Sequence, residues 1–166
     1  MSGRSFPPIA ELIPHSDAML MLDRILVHES TFTVCATRVD HGALFANPDG
    51  TVPSWVGIEY MAQCAAVHGG LGDRARGQAP RPGLLLGSRR LHLHSDAFPA
   101  GESLHVTARH HIMGGAGRGE PELGEAGLVA FDCSICAGTN PEILAEGRVN
   151  LYILEDWSAL GEVTHE

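Results

Sequence analysis

The sequence predicts an α+β fold in which an antiparallel sheet curls around one long buried helix. Three observations carry that prediction. The segment "VPSWVGIEYMAQCAAVHGG", residues 52–70, is apolar around nearly its whole helical circumference, which marks a helix wrapped by other elements. Four later segments, "LLLGSRRLHLHS", "SLHVTARHHI", "LVAFDCSICA" and "ILAEGRVNLYIL", alternate with period two, as in Val129, Phe131, Cys133 and Ile135 against Ala130, Asp132 and Ser134. No repeat or linker-like shift in composition interrupts the 166 residues, so one domain over 1–166 with a single core is expected.

Taken from the start, "PPIAELI" predicts a short helix, with Pro7 and Pro8 near its first turn, where proline is tolerated. "MLMLDRILVHE" and "TFTVCATRV" follow as two strands around a Glu29-Ser30 turn. The stretch "DHGALFANPDGTVP" is irregular, being rich in Gly, Pro, Asn and Asp. Pro53 and Ser54 then start the long helix, and Gly69, Gly70, Gly72 and Gly77 are expected to loosen it. Between two of the later strands, "GGAGRGEPELGEAG" predicts a long mobile hairpin loop. A sheet of this kind has open edges, which a second chain commonly covers, so a dimer is expected.

Composition narrows the function. With 44% hydrophobic and 19% charged residues the chain is an ordinary globular protein. A net charge of -9 argues against general nucleic-acid binding, where phosphate neutralisation supplies most of the affinity. The basic residues are all Arg, which removes Schiff-base and lysine-nucleophile chemistry. Arg74, Arg76, Arg81, Arg89 and Arg90 share a stretch with no acid among them, and read either as a solvated loop or as a docking patch for an acidic partner.

The opening "MSGRSFPPIAEL" lacks an apolar leader core, and no window approaches the roughly 20 apolar residues of a membrane span, so a cytoplasmic location away from membranes is expected. Reduced cysteines are expected in that setting. Cys133 and Cys136 form a C-x-x-C, but strand alternation sends them to opposite faces, against a shared metal or redox site. His92 with His94, and His105 with His111, share strand faces without a completing carboxylate or Cys, so no metal is expected.

Glu59 is the anomaly. A carboxylate on an otherwise buried helix is costly unless paired or neutralised. Gln63 lies one turn on and faces the same way, positioned to orient it. Glu59 is either a structural carboxylate bonded to Gln63 or a backbone amide, or a functional acid; Tyr60, Met61 and Cys64 read as packing residues.

Two motifs resemble a known family, the FabA/FabZ-type 3-hydroxyacyl-[acyl-carrier-protein] dehydratases of the hotdog fold. "IPHSDAMLMLDRI" is similar to the family's N-terminal segment, with Pro14-His15 and, after an apolar stretch, Asp23-Arg24. "VPSWVGIEYMAQ" is similar to the start of its central helix, where Pro53 precedes the acid Glu59 by six residues and Gln63 follows by four. The wording around Glu59 looks most like the ApeP-type branch associated with aryl polyene and fatty-acid-like gene sets. The resemblance implies dehydration of a 3-hydroxyacyl group on an acyl carrier protein, with Glu59 as the acid kept protonated by its apolar setting. It further implies that helix-start N–H groups at Ser54 or Trp55 hold the thioester oxygen. No resident cofactor is implied, since the substrate rides on phosphopantetheine, and the arginine stretch becomes the dock for the acidic carrier.

One family feature is missing. The general-base histidine belongs to a G-H-F-P loop ahead of the helix, and here "ALFANPDGTVP" puts Phe45 near that place. Three repairs are open. His15 or His41 enters the site, although His15 equally reads as a brace for the first helix and His41 as an exposed turn residue. A histidine-bearing hotdog homologue completes the site in a heterodimer, the chain otherwise forming a homodimer. Or the chain has left dehydration and is a thioesterase, whose helix carboxylate activates water, or a silent partner subunit.

Overall fold

A six-stranded sheet wraps the predicted helix in a computed structural model of the protein, which describes residues 5–40, 42–111, 126–156 and 158. The helix, α1 (Gly57–Ala75), follows a single 3-10 turn at Ser54–Val56. The strands are β1 (Arg24–His28), β2 (Phe32–Arg38), β3 (Val52–Pro53), β4 (Gly83–Leu93), β5 (Ala97–Phe98), β6 (Ser103–His110), β7 (Gly127–Ala137) and β8 (Asn140–Ile153). The large sheet runs β1-β2-β6-β7-β8-β4 with every neighbour antiparallel, and β3 pairs β5 apart from it. Among the described residues no strand pairs with the outer edge of β1 or of β4. Among the described residues no helix is long and apolar enough to cross a membrane.

Alternation and circumferential apolarity meet in the core. From α1, Tyr60, Met61, Cys64 and Val67 are buried against Val106 and Ala108 of β6 and Phe131 and Ile135 of β7. The thiols are free; Cys64 Sγ donates to the Val106 carbonyl at 3.2 Å, and a hydrogen bond between Cys35 and Cys64, together with burial, pushes the Cys35 thiol far up. Cys133 is buried and Cys136 half-buried on β7, in keeping with the alternation of faces along a strand.

Three details differ from the sequence reading. The "PPIAELI" segment makes only a 3-10 turn, Ile9–Glu11, although Ile9, Leu12 and Ile13 are buried as an apolar anchor. The glycines do not loosen α1, which continues to Ala75; a Cβ on Gly70 would collide with the Leu12 carbonyl oxygen, so this glycine permits a close crossing. Gly77, with φ of +71°, supplies the left-handed residue that ends the helix. Finally, β4 is irregular: its pairing with β8 shifts between Leu85 and Gly87 and between Ser88 and Arg90, leaving Leu86 and Arg89 as bulges. Leu84, Leu85 and Leu86 are exposed on this edge strand. The expected hairpin loop is residues 114–127, of which 114–125, like His41, lie outside the described residues, while Gly127 already belongs to β7.

Candidate active site

Gln63 is the fixed point around which the site assembles. It is fully buried, and its side chain is saturated: Oε1 accepts the Met21 N–H at 3.0 Å, while Nε2 donates to the Met19 carbonyl at 2.7 Å and to Glu59 Oε1 at 2.9 Å. Thr37 Oγ1 adds a bond to the Met21 carbonyl at 2.7 Å. Residues 19–21 are thereby tied to both α1 and β2. This anchorage fixes the chain just beyond His15, whose Nε2 lies 3.4 Å from Glu59 Oε1. His15 Nδ1 is buried and has no partner. Both side chains are 28% exposed, so a substrate can reach the pair.

The electrostatics reverse the expectation for Glu59. Burial alone favours its neutral form, but the hydrogen bond from His15 outweighs that, and with Gln63 it holds the carboxyl below its ordinary range. Glu59 is a carboxylate near neutral pH, not the protonated acid that an apolar setting predicts. The sign follows from a partner 44 residues away in sequence.

A cavity of about 180 Å³ opens beside the pair. One wall is the face of α1 carrying Glu59, Ala62, Ala65, Ala66, Gly69, Gly70 and Asp73; the other comes from β7, β8 and β4, including Val129, Phe131, Leu151 and Leu85. Its end away from His15 is polar. There Asp73, 2% exposed, accepts Arg76 Nη2 at 2.7 Å and Arg81 Nη2 at 2.8 Å. A second cavity, about 470 Å³, touches Asp17, Asp23, Arg38, Asp40 and Tyr60; burial, then Asp23 and Asp40, push the Tyr60 hydroxyl up to about 12.

Other expected residues are dispersed. Ser54 is not an open donor at the helix start, because its N–H is given to the Asp96 carbonyl at 3.0 Å and its hydroxyl to the Ser95 carbonyl. Neither Ser54 nor Trp55 lines the Glu59 cavity. Trp55 is 54% exposed and stacks obliquely on Phe45, which has φ of +69°, a strained value for an aromatic residue. The arginine stretch is not a uniform patch: Arg74 pairs with Glu11 at 2.9 Å, and Arg76 and Arg81 are committed to Asp73. Arg89 and Arg90 are exposed on β4 and make no ion pair among the described residues. His94 pairs with Glu146 at 3.0 Å, and His111 shares Asp132 with Arg148 at 2.8 and 2.7 Å.

Sequence reasoning missed two buried polar residues. Asp73 stands immediately before the arginine run, a visible signal. His68 lies on the all-apolar helix with no exposure, its Nδ1 2.8 Å from Thr33 Oγ1.

Comparison with known proteins matches residues 7–162 to the ApeP-like family model, described as ApeP dehydratase. No curated protein matches the sequence. Among solved structures, a chain of the dehydratase heterocomplex ApeI:P from Xenorhabdus doucetiae has a TM-score of 0.80 at 22% identity, covering 97% of this chain and 100% of that one. Zebra fish thioesterase superfamily member 2 follows with 0.59 at 17% identity, covering 88% and 91%. A hypothetical thioesterase with coenzyme A from Streptococcus pneumoniae TIGR4 gives 0.53 at 14%, covering 79% and 84%. At these identities the likeness establishes the fold, the hotdog fold.

Proposed function

Because the chain belongs to the ApeP dehydratase family, we propose that it dehydrates 3-hydroxyacyl groups carried on acyl carrier protein to trans-2-enoyl groups, with His15 and Glu59 as the reacting pair. One observation carries the assignment of roles: His15 Nε2 sits 3.4 Å from a carboxylate while its Nδ1 is buried, unpartnered and beside a cavity. An ionised Glu59 favours the tautomer with the proton on Nε2 and so orients the ring. The His15 imidazole takes the proton from C2, and Glu59 stabilises the imidazolium that forms. The hydroxyl at C3 departs with that proton as water, leaving the C2–C3 double bond.

The acidic carrier docks on Arg89 and Arg90 in this reading, and β4, with its exposed leucines, is the edge that pairs with a second hotdog subunit, a copy or a histidine-bearing homologue. A thioesterase is the second reading, favoured by a Glu59 held ionised and so able to activate water.

The test incubates the purified protein with a 3-hydroxyacyl carrier and follows water loss against free thiol. Dehydration is expected, reduced about 100-fold or more by Glu59→Gln and by His15→Ala. Thiol release in place of water loss makes the protein a thioesterase. Loss with Glu59→Gln but not with His15→Ala removes His15 from the mechanism and assigns the base to a partner subunit.

A further inference from the structure

Two adjacent glycines on α1 have different reasons to be there. Gly70 is required by packing, since a Cβ would strike the Leu12 carbonyl oxygen. At Gly69 a Cβ would meet nothing within 4 Å. Its backbone is helical and needs no left-handed freedom, and a glycine inside a helix is destabilising relative to alanine. Neither conformation nor packing explains it. Gly69 does line the cavity that begins at Glu59 and His15 and ends at Asp73, Arg76 and Arg81. Fourteen residues of helix separate Glu59 from Asp73, a rise of ~21 Å. A volume of about 180 Å³ spread over that length is a slot rather than a chamber; for comparison, an apolar cavity of about 150 Å³ holds one benzene ring.

We propose that Gly69 is a specificity-determining residue: its missing side chain keeps this slot open beyond Ala62, Ala65 and Ala66, so that the site takes a slender, unbranched acyl chain extending along α1 towards Asp73. This deepens the acyl-thioester reading of Glu59 and His15 and rests on it. Arg76 and Arg81, already bound to Asp73, close the far end as a polar stop. A chain that reaches past Gly69 gains the apolar wall of β7 and β8; a short one does not.

Binding and turnover are measured separately, with Gly69→Leu and the milder Gly69→Ala. Calorimetry uses thioether analogues of a long-chain and a short-chain acyl pantetheine, which the protein can neither dehydrate nor hydrolyse. Wild type is expected to prefer the long chain, and Gly69→Leu to lower the long-to-short affinity ratio about tenfold or more, with Gly69→Ala between. The kcat/KM ratio for long and short 3-hydroxyacyl thioesters should move in parallel. Thermal melting checks that each variant is folded, and if Gly69→Leu is not, the Gly69→Ala ratio decides. A wild type with no long-chain preference, or an unchanged ratio in the folded variants, overturns the role of Gly69. If the ratio shifts in binding but no thioester turns over, the slot stands and the proposed reaction falls.

Discussion

Acid should unfold this protein through one residue that takes no part in the proposed chemistry. His68 has no exposure; its Nδ1 is bonded to Thr33 Oγ1, which also meets His28 Nδ1 at 2.8 Å, and its Nε2 has no partner. Burial first, then the neighbouring His28 of β1 and His110 of β6, hold its pKa down at about 4. An unfolded histidine titrates near 6.5. Between those values the unfolded chain binds a proton that the folded one refuses. Stability is therefore full above about pH 6.5 and falls as the pH drops towards about 4. At about 1.4 kcal/mol per pH unit, the interval amounts to about 3 kcal/mol, a large part of the 5–15 kcal/mol typical of a domain. The carboxyls of Glu59 and Asp132, held below their ordinary range, lose their contributions only at lower pH, as their folded pKa values are crossed. Urea unfolding at about pH 7.5 and about pH 4.5, at fixed protein concentration, reads the difference. His68→Gln keeps an amide able to bond Thr33 and removes the titration, so its stability should vary much less over this range. A wild-type midpoint that does not fall, or a His68→Gln midpoint that falls as far, refutes the reasoning.

The remaining predictions concern the two faces of the molecule. Gly70→Ala should lower stability by about 1–3 kcal/mol, because the new methyl overpacks against the Leu12 carbonyl, whereas Gly69→Ala should leave it unchanged or raise it; differential scanning calorimetry that ranks the two the other way contradicts the account of both glycines. Arg89→Glu with Arg90→Glu should weaken carrier binding about tenfold and flatten its salt dependence. Titration of a labelled carrier at low and high salt measures this, and an unchanged affinity removes the docking surface.

Much of the fold was legible because its signals are local. The period-two alternation of 128–137 and the all-round apolarity of 52–70 each admit one reading, and the order of strands and helix along the chain followed. The glycines of α1 misled because propensity counts only what a residue does to its own helix, while Gly70 answers to Leu12, a crossing that tertiary structure creates. Glu59 was found by cost and by resemblance, but its protonation was read with the wrong sign: burial is visible in an apolar run, and His15 as a partner is not. The arginine patch shrank for a related reason. Asp73 precedes the run by one residue, and only the fold turns Arg76 and Arg81 back onto it. Bulges at Leu86 and Arg89 leave no trace in an alternation that looks regular over short windows.

Those two bulges bear on how the molecule behaves when crowded. An exposed rim with three consecutive leucines is the kind of template on which fibrils lengthen, each added strand lying flat and in register on the last. Two extra residues within the rim twist it and break its even spacing of donors and acceptors, so a regular foreign strand cannot zip along its length. The same kink that discourages runaway growth admits a mate shaped to match it, and self-limited pairing is compatible with solubility at high concentration.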